Sequence, residues 1–265
     1  MLLVIDVGNT NIVLGVFDGE VLIKDWRIRT IRDTTADEFN VLAKGLFSDK
    51  GIKLSDVSSV VISSVVPPAV PILDKFCETY LNKKPLWVQP ASVRTLMPIL
   101  YNNPAEVGAD RIVNGIAAYN RYKKSLIVID FGTATTFDAI SEKGEYLGGA
   151  IVPGIMISAE ALFQRASRLP RVEMFMPPDH VIGKDTIDSI KSGLMHGNAA
   201  LVDGMVARMK KEMMRDPMVS TNEPMVIATG GLAILISELS SSIEVVDSAL
   251  TLEGLRIISQ ALCSK

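Results

Sequence analysis

One pattern occurs twice in this chain, in residues 2–11 and again in residues 126–135. Each copy is an apolar run that ends in an aspartate, with a glycine two positions later and then small hydroxyl or amide residues. A second apolar run begins directly afterwards. Two apolar runs around a short polar turn are typical of a β-hairpin. The duplication therefore predicts two similar hairpins, one in each half of the chain.

The residues of the turn suit a phosphate group. Gly8 and Gly132 would let the backbone approach a phosphate closely, and the neighbouring amide groups would donate hydrogen bonds to it. Asp6 and Asp130 could each hold a cation or its water shell. A single Asp-x-Gly pattern would indicate only a tight turn in a half-buried sheet, whereas two copies in the same context predict a duplicated phosphate site.

Composition limits the class of protein. Of the 265 residues, 48% are hydrophobic and 22% are charged, which suits a folded core and argues against disorder. The net charge of -3 gives no basic surface for nucleic acid. The least polar stretches are broken by Pro, Gly and Ser, so no membrane helix is expected. With no visible signal peptide and two widely spaced cysteines, a cytoplasmic location is expected.

The order of elements in each half is predicted to be βββαβαβ. The domains are expected to span residues 1–122 and 123–265, with a nucleotide cleft between them. The sequence also predicts a long helix from about residue 186 to residue 214, with Met205, Met209 and Met213 on one stripe. That stripe is compatible with a subunit interface or with an intramolecular core.

These features resemble the acetate and sugar kinase, heat-shock chaperone and actin superfamily. Its members pair two ribonuclease-H-like α/β domains, each with an Asp-x-Gly phosphate hairpin. The Gly230-Gly231 pair after an apolar strand is similar to the glycines that this superfamily places beside adenosine. The resemblance implies ATP binding, but kinases, phosphatases and mechanical ATPases share the fold.

The segment 101–114 separates these possibilities. Ala109, Ile112 and Val113 begin a helical apolar stripe, which leaves Asp110 and Arg111 off the buried face in the first turn. In a purely structural interpretation, Asp110 would compensate the helix dipole and Arg111 would be a solvated charge. Together with the two hairpins, however, the Gly-Ala-Asp-Arg block resembles the type III pantothenate kinase family.

The resemblance implies a role for particular residues. In that family, one stretch holds the ATP phosphates, with a further nucleotide contact from the second hairpin; the matching residues here are Asp6, Val7, Gly8, Asn9, Thr10, Asn11, Ile12, Val13 and Thr133. The pantothenate contacts match Tyr101, Gly108, Ala109, Asp110, Arg111 and Thr186. Asp110 matches the catalytic base, and Asp130 matches the ligand of a monovalent cation.

The implied reaction is transfer of the γ-phosphoryl group of ATP to pantothenate, giving 4'-phosphopantothenate, the first step toward coenzyme A. Mg2+ is expected with ATP, K+ or NH4+ as the monovalent cation, and a homodimer as the assembly. Two alternatives remain open at this point. One is another small-molecule kinase or a phosphatase of the superfamily, and the other is a non-catalytic regulator on the same scaffold.

Overall fold

The computed structural model describes residues 1–166, 168–172 and 176–263. It divides into two compact units, each built around a mixed five-stranded sheet. The first unit comprises residues 1–117 and the C-terminal helix, and the second comprises residues 118–249. The predicted α/β class with two similar domains is confirmed.

The first unit repeats the predicted βββαβαβ order and then adds a helix. Its elements are β1 (Leu2–Val7), β2 (Asn11–Asp18), β3 (Val21–Arg29), α1 (Ala36–Ser48), β4 (Ser59–Ser64), α2 (Ala69–Phe76), β5 (Leu86–Trp87) and α3 (Ala109–Tyr122). The strand order is β3-β2-β1-β4-β5, with β1 antiparallel to β2 and parallel to β4. Strand β1 is therefore central, and Asp6, which ends its apolar run, lies between the neighbouring strands β2 and β4.

Helix α1 begins where the sequence predicts a capping box. Thr35 Oγ1 accepts a hydrogen bond from the Glu38 amide at 3.2 Å, and Glu38 Oε2 accepts one from the Thr35 amide at 2.8 Å. These bonds satisfy two of the amide groups that a helix start leaves unpaired. Phe39, Ala43 and Phe47 then face the core of the first unit.

The second unit has the same strand order around a second central strand. Its elements are β6 (Leu126–Phe131), β7 (Ala134–Ile140), β8 (Tyr146–Pro153), α4 (Ile155–Arg165), α5 (Thr186–Met213), β9 (Met225–Gly230), α6 (Ala233–Ser237) and β10 (Val245–Val246). The sheet runs β10-β9-β6-β7-β8, so β6 occupies the place that β1 has in the first unit. β6 is antiparallel to β7 and parallel to β9.

The C-terminal helix α7 (Leu250–Cys263) differs from the predicted domain division of 1–122 and 123–265. It packs against β1, β2 and β4, so it belongs to the first unit. Leu250, Leu255 and Ile258 are completely buried. A β-carbon on Gly254 would lie 2.4 Å from the Val113 carbonyl oxygen of α3, so the two helices are in close contact there. The boundary at residue 122 also shifts, to residue 117 within α3.

The methionine stripe on α5 faces the interior of its own unit. Met213 is buried, and Met205 and Met209 are partly buried against the same apolar cluster. The intramolecular interpretation of the stripe therefore accounts for these side chains. Among the residues that the structure describes, no helix is long and apolar enough to cross a membrane.

Candidate active site

The first hairpin turns at Gly8, Asn9 and Thr10, between β1 and β2. Inside the turn, the Gly8 amide donates to the Asn11 carbonyl at 2.9 Å. Thr30, directly after β3, holds the turn from outside: its hydroxyl donates to the Gly8 carbonyl at 2.7 Å and its amide donates to the Thr10 carbonyl at 2.9 Å. Asn9 and Thr10 remain exposed. The turn is thus a fixed loop whose tip faces solvent.

Asp6 lies at the base of this turn and is partly buried. Ser63 on β4 is fully buried, and its hydroxyl donates to Asp6 Oδ1 at 2.5 Å. Burial raises the pKa of Asp6 to about 7; the Ser63 bond opposes this, the negative charge of Asp110 adds to it, and Arg27 opposes it. The carboxyl groups of Asp6 and Asp110 are therefore close enough to interact electrostatically.

Asp110 stands in the first turn of α3, where Gly108 makes room for it. A β-carbon on Gly108 would lie 2.5 Å from Asp110 Oδ1. The Arg111 amide donates to that oxygen at 2.8 Å and fixes the carboxyl group. Burial raises the pKa of Asp110, although this hydrogen bond and the charge of Arg111 counteract the effect. A carboxylate with a raised pKa is a stronger base than an exposed one.

The prediction that Arg111 lies off the buried face is wrong, because only 9% of this residue is exposed. Helix α3 is buried around nearly its whole circumference from residue 111 to residue 118, instead of presenting one apolar stripe. A solvated surface charge is therefore excluded for Arg111. Tyr101, in the loop before α3, is 38% exposed.

The second hairpin, between β6 and β7, is built by close backbone contacts. The Gly132 amide donates to the Ala134 carbonyl at 3.1 Å, and the Gly154 amide donates to the Thr133 carbonyl at 3.2 Å. A β-carbon on Gly154 would lie only 2.3 Å from that same oxygen. Gly230 has a φ of 94°, and a β-carbon there would lie 2.5 Å from Asp130 Oδ1. Asp130 is half-buried beside it.

Thr186 is the exposed first residue of α5, far along the sequence from both hairpins. Its helix is capped by Asp185, whose side chain accepts from the Asp188 amide at 2.8 Å. A cavity of about 470 Å3 opens at this helix start. Its lining consists of Leu169, Gly183, Lys184, Asp185, Thr186, Ser189 and Ile190.

Sequence reasoning did not single out Ser63 or Thr30, which contact the first hairpin from β4 and from the end of β3. Ser63 had a detectable signal, since a hydroxyl residue follows three consecutive buried apolar residues in one strand. Thr30 had none, because its partner is a backbone carbonyl that any sequence would supply.

The residues around Asp6 suit a divalent cation that arrives with phosphates. Within the described part of the chain, no group of three or more His, Cys, Asp or Glu side chains could hold a metal ion by itself. Mg2+ is typically bound by one or two carboxylates together with substrate phosphates, so a dedicated protein cage is not required. A partly buried carboxyl group whose pKa is raised to about 7 also gains from a nearby cation, which favours its ionised form.

Comparison with known proteins identifies the family of the chain. A family model described as type III pantothenate kinase matches residues 2–208. A type III pantothenate kinase of Desulforapulum autotrophicum is 71% identical over 98% of this chain and 96% of its own length. Another from Geobacter sulfurreducens is 54% identical over 97% of this chain and 98% of its own length.

Solved structures agree at the level of the fold. A Baf family protein from Campylobacter jejuni has a TM-score of 0.61 at 19% identity, covering 99% of this chain and all (100%) of the other. Component A of (R)-2-hydroxyglutaryl-CoA dehydratase from Acidaminococcus fermentans has a TM-score of 0.53 at 13% identity, covering 96% and 94%. With a family model spanning most of its length and relatives above half identity, the chain belongs to the type III pantothenate kinase family.

Proposed function

We propose that this chain transfers the γ-phosphoryl group of ATP to the primary hydroxyl of pantothenate, giving 4'-phosphopantothenate, the first step toward coenzyme A. Family membership supports the reaction. Within the chain, the observation that carries the proposal is that Asp6 ends the apolar run of β1 at the first hairpin, while Asp110, held by the Arg111 amide, lies in the first turn of α3 in the same unit. One belongs to a phosphate hairpin, and the other has the raised pKa of a base.

The first hairpin is the proposed phosphate site. The tip residues Asn9 and Thr10 are exposed, and the backbone of such a turn is suited to phosphate oxygens. Thr30 keeps the tip in place. The proposed ATP contacts run from Asp6 to Val13, with Thr133 as a further contact. Asp6 is the residue best suited to hold Mg2+ near the phosphates. A bound Mg2+ would neutralise part of the negative charge of the transferred group.

Asp110 is the proposed base. Phosphoryl transfer depends chiefly on alignment and charge neutralisation, so its task is to orient the pantothenate hydroxyl and accept the proton late. The bond from the Arg111 amide holds its carboxyl group in one orientation. Arg111 itself is suited to the pantothenate carboxylate, because a guanidinium can donate two parallel hydrogen bonds to it. Tyr101, Gly108, Ala109 and Thr186 complete the proposed substrate contacts.

Asp110→Asn tests this assignment. Asparagine keeps the shape of the side chain but cannot accept the proton, so turnover should fall roughly 10²- to 10⁴-fold. ATP binding should persist, because the phosphates are assigned to the first hairpin. The measurements are pantothenate-dependent ADP release, nucleotide affinity and melting temperature of both proteins.

Asp37→Asn is the matched control, since Asp37 also lies in the first turn of a helix of the same unit. If Asp110 only compensated a helix dipole, both variants would lose at most about 1 kcal/mol of stability and little activity. Near-normal turnover of Asp110→Asn would contradict the catalytic role. If the wild-type protein turned over ATP equally well without pantothenate, another acceptor would be favoured.

A monovalent cation, K+ or NH4+, is proposed at Asp130. In support, the carboxyl group is half-buried at the end of β6 and in contact with the backbone around Gly230. Replacing sodium by potassium or ammonium should then raise ADP release, and Asp130→Asn should remove that difference. Equal rates in all three salts would contradict the cation site.

A homodimer in the cytoplasm is the proposed assembly and location. Helix α4 supports an interface, because Met156 is 53% exposed, Ile157 46% and Phe163 43%. An exposed apolar face of this kind is typical of a surface that contacts another protein. Thr186 is proposed to reach pantothenate, from its own chain or from the partner. Light scattering at assay concentration would test the dimer, and a monomer would contradict it.

A further inference from the structure

Ser63 occupies an unusual place in the central sheet. It follows Val60, Val61 and Ile62 in β4, which are at most 2% exposed, and it is itself completely buried. In the parallel pairing of β1 with β4, Ser63 stands directly opposite Asp6. Paired residues of adjacent strands project to the same side of a sheet, so the two side chains meet.

Packing alone does not account for a serine at this position. A buried hydroxyl is costly unless it forms a hydrogen bond, whereas valine or alanine would suit a buried strand without that requirement. The Ser63 hydroxyl donates to Asp6 Oδ1 at 2.5 Å. That distance is at the short end of hydrogen bonds from a hydroxyl to a carboxylate. The structural reason for Ser63 is therefore its bond to Asp6.

The second unit has a related arrangement at the matching register. Asp130 of β6 stands opposite Thr229 of β9, again in a parallel pair, and Thr229 is 2% exposed. A hydroxyl residue thus occupies the position opposite each hairpin aspartate. The duplication therefore extends from the hairpins to the neighbouring strand. It is not visible there in the sequence, because the residues around Ser63 differ from those around Thr229.

We propose that Ser63 is a positioning residue, which holds the Asp6 carboxyl group in the orientation needed toward a divalent cation bound with the nucleotide. The inference rests on the role proposed above for Asp6. Asp110 and Arg27 also act on Asp6, through charge. Ser63 differs from both because it fixes one oxygen of the carboxyl group by a directed bond.

The test measures binding instead of turnover. Calorimetry would give the dissociation constants of ADP with and without Mg2+ for wild type, Ser63→Ala, Ser63→Thr and Ser64→Ala. Ser63→Ala should weaken binding of Mg·ADP about tenfold, the usual effect of losing a hydrogen bond to a charged group. Binding of ADP without Mg2+ should change less than about twofold. Ser63→Thr, which retains the hydroxyl, should recover most of the loss.

Ser64→Ala is the matched control, because its hydroxyl bonds to the backbone of Val66 and not to Asp6. It should bind both ligands as wild type does. If Ser63→Ala fails to fold, Ser63→Cys replaces it under the same criterion, because the thiol has a similar size and donates only weakly. Binding of Mg·ADP equal to wild type in the folded variant would overturn the inference.

Asp6→Asn and the double variant Asp6→Asn/Ser63→Ala separate this inference from the role of Asp6. If Ser63 acts through Asp6, adding Ser63→Ala to Asp6→Asn should weaken Mg·ADP binding no further. An additional tenfold loss in the double variant would overturn the inference while leaving Asp6 in its role. If Asp6→Asn binds Mg·ADP normally, the role of Asp6 fails and the inference fails with it.

Discussion

The two hairpins have nearly the same sequence pattern and the same place in their sheets, but they are held by different means. In the first, hydroxyl side chains from outside the hairpin make the contacts: Thr30 bonds to the turn and Ser63 to the aspartate. In the second, glycines allow the backbone to approach neighbouring atoms closely. Gly154 lies against the Thr133 carbonyl, and Gly230 lies against the Asp130 carboxyl group.

This difference shows that the duplicated pattern specifies the strands and the turn, while the supporting contacts are particular to each unit. A side-chain hydrogen bond fixes one atom and can be removed singly. A close backbone contact leaves no space for a β-carbon, so any substitution there disturbs several residues together. Removing a supporting hydrogen bond of the first hairpin should therefore change binding locally, whereas adding a β-carbon at a close contact of the second should reduce stability.

The largest effect is expected from Gly154→Ala, at the contact between the start of α4 and the turn of the second hairpin. The added carbon would lie 2.3 Å from the Thr133 carbonyl oxygen and 2.7 Å from that of Gly132, both of which are backbone atoms. The turn or the segment around Gly154 must shift to relieve these contacts, at a cost of about 2 to 4 kcal/mol in the free energy of unfolding. Chemical denaturation of the ligand-free protein would measure it.

Gly45→Ala provides the contrast, because nothing lies within 4 Å of a β-carbon at this exposed position in α1. That variant should be more stable than wild type by about 0.5 to 1 kcal/mol. Equal stability of the two variants would show that the contact at Gly154 relaxes freely.

The next effect concerns Asp6 and depends on pH. Its pKa rises from 3.8 unfolded to about 7 in the folded protein, so the folded state binds a proton that the unfolded chain has released between these values. The free energy of unfolding should therefore fall as pH rises from about 4 to 7 and stay level above it.

Asp6→Asn lacks this titration, so it should exceed wild type in stability by about 1 to 2 kcal/mol at pH 8, a range that allows for the partial exposure of the side chain. Near pH 4.5 the two proteins should be similar. Urea unfolding of the ligand-free proteins between about pH 4.5 and pH 8 would measure the difference. If the free energies of unfolding of the two proteins changed in parallel with pH, the shifted pKa would be contradicted.

The smallest effect is expected from Thr30→Val, which removes a side-chain bond to the first hairpin. The substitution keeps the size and branching of the side chain but removes the hydroxyl that donates to the Gly8 carbonyl at 2.7 Å. Loss of one such bond costs about 1 kcal/mol, which should weaken ATP binding up to about fivefold. Thr30→Ser should bind ATP as wild type does. Equal affinity of the valine variant would show that the turn holds its shape without Thr30.

Much of the secondary structure could be predicted because it follows from local rules. The capping box fixes the start of α1, and helical spacing predicted a helix from residue 186 to residue 214 where α5 runs from Thr186 to Met213. The assignment of α7 to the second domain failed for the opposite reason. Its partners, including Val113 and Gly15, lie far away in sequence, and no local pattern records them.

The candidate site shows the same limit. The aspartates and glycines of the hairpins are visible in the sequence because their spacing repeats. Arg111 was misplaced because a periodic apolar stripe implies one exposed face, whereas α3 is buried on nearly all sides. The bond from Ser63 to Asp6 joins residues 57 positions apart, so it depends on the pairing of β1 with β4.

The position of α7 also has a consequence for synthesis on the ribosome. The first unit needs residues from both ends of the described chain, while the second unit is continuous from residue 118 to residue 249. The second unit can therefore complete its fold while the first still lacks the helix that covers β1, β2 and β4. At translation rates of about 5 to 20 residues per second, synthesis of residues 118–249 alone delays that cover by about 7 to 26 seconds. During this interval the nascent chain presents an apolar sheet surface that chaperones can bind.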